Sequence, residues 1–156
     1  SECLVGSEMC IRDSIYAPAW KTLEYMTFGD ILYLYSSLKD AKLKEEIAAH
    51  YNIRNVDIFD NYMSTLRVIR NLCAHGHNIY DLKLQKRIRK GPISDLQGDR
   101  FHNMAGGLLV LRYILNSIST NRVQDLNYKL KLLTSQPQIK KIENIIKGLI
   151  TFIQSV

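Results

Sequence analysis

The chain has 156 residues, a length that suits one domain with one core. Hydrophobic residues make up 46%, which argues against disorder, and the apolar runs, such as Gly106 to Leu111 and Ile145 to Ile150, are too short or interrupted to span a membrane. The net charge of +6, from 21 basic and 15 acidic residues, favours an anionic partner, nucleic acid foremost, although a plain basic surface accounts for it too.

Ser1 to Ser14 (SECLVGSEMCIRDS) reads as neither helix nor strand and is similar to a translated sequencing-adapter scar. It is set aside as non-native, leaving residues 15–156 as a single expected helical domain. Within 1–14 no secretory signal is visible, so the cytoplasm is the default expectation. Three cysteines make no disulfide framework, and Cys3 and Cys10 fall in that segment. Cys73 sits on an apolar helical stripe, where a buried structural thiol is expected rather than a nucleophile.

From Ile15 onward the period is helical. Pro18 suits a first turn, followed by Trp20, Leu23 and Tyr25. Thr27-Phe28-Gly29-Asp30 has the form of a capping box before an apolar helix through Leu38. Asp40 opens a third helix, with Lys42 and Glu46 spaced for an ion pair. Asn55 is the expected N-cap of the longest helix, Val56 to His75, whose stripe is Phe59, Tyr62, Leu66, Ile69 and Cys73. Gly76 is placed to end it. Residues 78–98 are poorly periodic and hold the turn signal Gly91-Pro92. Further helices are predicted over Asp99 to Ser119, Arg122 to Thr134 and Gln138 to Gln154. In the first of these, Gly106-Gly107 would allow close packing. The expected architecture is an all-α bundle.

Arg70 and His75 carry the chemistry that this pattern allows. Cleavage of RNA by its own 2′-OH needs proton transfer near neutral pH and a cation on the phosphorane. Imidazole suits the first task, and a guanidinium fork suits the second. The two side chains lie about 140° apart around one helix, whereas Asn71 and His75 share a face. The gap closes if the helix end frays, or if two chains each bring one pair to a shared site. The structural alternative is an ion pair of Arg70 with Asp60 or Asp81 and a helix-capping role for His75. His77 is a second candidate, or an exposed loop residue. The histidines are too scattered and too poorly partnered for zinc, so no metal or cofactor is expected. Lys83, Lys86, Arg87, Arg89 and Lys90 could track an RNA backbone, with Tyr80 stacking on a base.

Arg70-Asn71-Leu72-Cys73-Ala74-His75 resembles the Arg-Asn-x-Cys-Ala-His signature of Abi-like abortive-infection proteins, AbiD/AbiF type, of the HEPN superfamily. The segment WKTLEYMTFGDILYLYS from Trp20, the Ile47-Ala48-x-x-Tyr51 pattern and Phe101 to Leu115 extend the likeness. The resemblance implies a HEPN-like helical bundle and a metal-independent endoribonuclease of a phage-defence or toxin–antitoxin system. It implies that Arg70 neutralises the scissile phosphate, that His75 acts as general acid or base or orients the 2′-OH, and that Asn71 holds the histidine or the phosphate by hydrogen bonds. It further implies RNA as substrate, a homodimer with facing motifs, and an antitoxin as a further partner. Members are usually longer, so a truncated carboxy-terminal portion is expected. After the histidine, Gly76-His77-Asn78-Ile79-Tyr80 stands where the family often has a second His or Asn and then Arg-Leu, which bears on secondary RNA contacts. The alternative is a non-catalytic module that binds RNA or nucleotide.

Overall fold

The structure, a computed structural model, describes residues 18–79 and 81–136. The helix predicted over Gln138 to Gln154, the segment 1–14 and Tyr80 lie outside these residues. What is described is all-helical, its only extended pairing being a single antiparallel bridge between Lys83 and Asn103. No described helix is long and apolar enough to cross a membrane. The chain divides into two units, Ser1–Lys39 and Asp40–Val156.

The first unit holds α1, Ala19–Tyr25, and α2, Phe28–Ser37. Pro18 is the residue before α1, its carbonyl accepting from Thr22 N. The capping box at α2 is closed both ways. Asp30 N–H donates to Thr27 Oγ1 at 3.3 Å, and Thr27 N–H and Oγ1–H donate to Asp30 Oδ2 at 3.1 and 2.7 Å. Those two bonds favour the charged form and hold the Asp30 carboxyl below its ordinary pKa.

In the second unit, Asp40 caps α3, Ala41–His50, by accepting from Lys42 N and Leu43 N. Lys42 and Glu46 do not close into the ion pair their spacing allows. The end of α3 is a Schellman turn. Ile53 N–H reaches Ala48 O and Asn52 N–H reaches Ala49 O, with Asn52 at φ 57°. Ala48 and Ile53 are both buried, supplying the apolar contact that accompanies this turn.

Asn55 caps α4, Val56–Ala74, through bonds from Asp57 N and Ile58 N. Phe59, Tyr62, Met63, Leu66 and Ile69 are its buried face. Cys73, predicted to continue that face, is exposed. The stripe is spent at Ile69, where α5, Met104–Ile118, comes close enough that a Cβ on Gly107 would collide with Ile69 Cδ1. The last turn of α4 runs past this contact. Gly106 likewise has no room for a Cβ, because the Arg100 carbonyl occupies that space. The two glycines therefore do serve close packing.

The helix predicted over Asp99 to Ser119 is two elements. Gly98–Phe101 is a 3-10 turn, and α5 begins afresh after Asn103, whose side chain accepts from Gly106 N at 3.1 Å. An asparagine that satisfies an open amide favours a helix start over a continuous helix. Ser119, fully extended at φ −163° and ψ 119°, turns the chain from α5 into α6, Thr120–Thr134.

Candidate functional site

Helix α4 ends where the sequence placed its end, and its backbone fixes the geometry of the Arg70 to His75 segment. His75 is the C-cap, its N–H bonded to Asn71 O at 3.0 Å. Gly76 takes φ 67°, while His77 N–H bonds to Leu72 O and Gly76 N–H to Cys73 O. This is a second Schellman turn, and it closes the last carbonyls of the helix. Histidine is thus held at the carboxy-terminal end of the helix, beside its last carbonyls.

Arg70, Asn71, His75 and His77 are all exposed. Arg70 Nη1 donates to Asn71 Oδ1 at 3.1 Å, so its partner is the neighbouring amide and not Asp60 or Asp81. Asn71 is therefore engaged twice, by Arg70 at its side chain and by His75 at its carbonyl. The His75 and His77 rings face each other edge to face with centroids 6.5 Å apart. Arg70 and His75 are joined only through Asn71, in keeping with their 140° separation. The arrangement offers an anion a guanidinium, an amide and an imidazole on one solvent-facing helix end.

The basic segment that follows is an ordered wall, although its sequence reads as an irregular loop. Leu84, Ile88, Ile93 and Leu96 are buried beneath it. Leu84 N–H bonds to His102 O and Ile88 N–H to Phe101 O. Asn61, on α4 and 2% exposed, clamps the middle of the segment: Nδ2 donates to Arg87 O at 3.0 Å and Oδ1 accepts from Arg89 N at 2.8 Å. Sequence reasoning passed over Asn61. The available signal was an amide in mid-helix, where a polar side chain asks for a partner.

The five basic residues divide accordingly. Arg87 lies over the Phe101 ring, 4.3 Å from its centroid, and Arg89 pairs with Asp57 at 2.9 Å. Lys83, Lys86 and Lys90 are exposed, and their ammonium groups have no partner among the described residues. Two clefts lie between this wall and α4. One, of about 440 Å³, is floored by Ser64, Thr65, Val68 and Leu72 and walled by Leu82 to Lys86. The other, of about 590 Å³, is bounded by Asn55, Ile58, Asn61 and Lys86 to Lys90. Tyr80, the expected stacking residue, lies outside the described residues. Among the described residues no three His, Cys, Asp or Glu side chains gather as metal ligands would.

Residues 10–81 match a family model described as Abi-like protein, a span that includes α1 to α4 and the whole Arg70 to His75 segment. No curated protein and no solved structure matches the chain.

Proposed function

We propose that the chain, whose residues 10–81 match a family model described as Abi-like protein, is a metal-independent endoribonuclease acting in abortive infection or as a toxin, with a HEPN-like active site at the end of α4. The observation that carries the reading is the exposed Arg70–Asn71 pair beside His75, on a helix end whose carbonyls are already closed by Gly76 and His77. None of these polar groups is part of the core, to which α4 contributes only as far as Ile69.

In this reading Arg70 neutralises the scissile phosphate, and His75 moves the proton between the 2′-OH and the departing 5′-oxygen. Asn71 holds the guanidinium by its side chain and the His75 backbone by its carbonyl. The attacking oxygen belongs to the substrate, so neither a covalent enzyme intermediate nor an added nucleophile is required. The expected products are a 2′,3′-cyclic phosphate and a 5′-hydroxyl. RNA is the partner, the lysine-bearing wall supplies affinity for it, and the working unit is a homodimer. An antitoxin would be its natural restraint.

Incubation with total RNA in the presence of EDTA tests this. Cleavage with cyclic-phosphate ends supports the reading, and Arg70→Ala and His75→Ala should each abolish it while circular dichroism stays that of the parent. Parent-like cutting by either variant, 5′-phosphate ends, or loss of cutting on chelation would refute it. The second reading, a module that binds RNA without cutting, predicts no turnover but binding that depends on the same lysines.

A further inference from the structure

Ser64, Val68 and Leu72 form one i,i+4 row on α4, and they are floor residues of the smaller cleft. His75, three residues beyond Leu72, lies on the same face of the helix and about 4.5 Å further along its axis. The cleft therefore runs toward the imidazole, while Arg70 lies on another side of the helix. Its opposite wall is fixed from both ends, by Leu84 bonded to the His102 carbonyl and by the Asn61 clamp on Arg87 and Arg89. It is a preformed cleft with an apolar floor: Val68 is 42% exposed and Thr65 spends its hydroxyl on Asn61 O. Lys83 and Lys86 stand in its wall with free ammonium groups.

We infer that this cleft takes one unstacked nucleobase of the RNA strand whose phosphate lies at His75, so that the protein selects unpaired RNA and reads one base beside the cut. The inference rests on the proposed function and adds to it the substrate class and the specificity site. The charge pattern selects this occupant. An apolar slot flanked by cations suits a flat ring carried on a phosphate backbone. A base can enter only when it has left a helical stack, because the slot lies to one side of the backbone track and a paired base faces its partner strand. Lys86 also borders the second cleft, which continues along α4 toward Asn55, so the strand has a route away from the cut.

The test separates binding from turnover. In the 156-residue chain carrying His75→Ala, anisotropy would measure affinity for a labelled mixed-sequence RNA octamer, unpaired or annealed to its complement. The unpaired form should bind at least tenfold tighter. Adding Val68→Trp, which fills the slot from an exposed position, should weaken the unpaired form by roughly tenfold and leave the duplex unchanged, the size expected when one stacked base is lost. Val68→Glu should act the same way, and it decides the matter if circular dichroism shows the tryptophan variant misfolded. Equal affinity of unpaired RNA for the parent and the Val68 variants would overturn the inference, as would equal loss for both RNA forms. Cleavage by the chain with His75 intact is scored separately. A Val68 effect without any cleavage leaves the base slot standing and removes the ribonuclease; cleavage without a Val68 effect does the reverse.

Discussion

Asn71 joins the two residues that one helix holds apart. Its side chain accepts from Arg70 and its carbonyl accepts from the His75 amide, so removing the side chain frees the guanidinium without altering the helix bond to His75. Asn71→Ala should therefore lower cleavage by about tenfold, a charge-assisted bond weakened by its exposure, and spare the melting temperature. Loss as complete as in Arg70→Ala would give Asn71 a direct part in the chemistry. Tyr62 is the other residue whose surroundings make a prediction. It is fully buried with no bond to its hydroxyl, packed edge to face on Tyr113 and covered by Gly91. Burial, with Tyr113 adding to it, pushes its pKa up to about 12. The unfolded phenol ionises near pH 10, so between about 10 and 12 the unfolded state sheds a proton that the folded state keeps. Stability should fall with rising pH across that window. Tyr62→Phe should flatten the fall and leave neutral-pH stability equal or higher by up to about 1 kcal/mol, because no hydrogen bond is lost. Denaturant melts at pH 7 and 11 check both signs; a variant weaker at pH 7 would mean the hydroxyl has a partner.

At the scale of elements, α3 and α4 end by the same device, with Asn52 and Gly76 in the left-handed region. A Cβ on Gly76 would meet nothing within 4 Å, so a substitution there tests backbone strain alone. Gly76→Ala should cost about 1 kcal/mol, a fall of roughly 3 °C in Tm, and reduce cleavage by loosening the turn that holds His75. Gly76→Asn, using the residue that already does this work after α3, should retain most of both. An alanine variant with parental Tm and activity would show that the turn does not need its left-handed residue. These ends were legible in the sequence because caps and glycine stops are local: Thr27, Asp40, Asn55 and Gly76 act on backbone groups a few residues away. That the Arg70 to His75 segment closes a helix was legible for the same reason. What was not legible depends on long-range packing. Cys73 continues the apolar period but has no partner there, since α5 meets α4 at Ile69. The helix predicted through His102 breaks because Asn103 caps a new one. The basic segment is shaped by Asn61, which acts on Arg87 and Arg89 across more than 25 positions, and that contact also decides which cations remain free.

For the whole molecule, the proposed ribonuclease requires Arg70 and His75 to act together although α4 directs them about 140° apart. Within one chain the join is Asn71, which brings the guanidinium only to the amide. A twofold axis beside the end of α4 offers a second route. A symmetric interface repeats one patch on both subunits, so each arginine can face the partner's histidine with no new sequence. The last turn of α4 is exposed, with Cys73 uncovered on the side that is buried earlier in the helix, and so is open to such a contact. Two arginines near an axis repel each other unless an anion lies between them. The free dimer should therefore be weakest at low salt, where screening is least, and tightest with RNA bound. Mixing Arg70→Ala chains with His75→Ala chains tests the arrangement directly. A composite site predicts that the mixture regains cleavage that neither variant has alone, rising with the fraction of mixed dimers and peaking near equal amounts. Sedimentation at two salt concentrations, with and without a non-cleavable RNA, would follow the association. A protein that sediments as a monomer under the conditions in which it cuts RNA would refute the shared site, and the Arg70–Asn71–His75 end of a single chain would then have to carry the chemistry by itself.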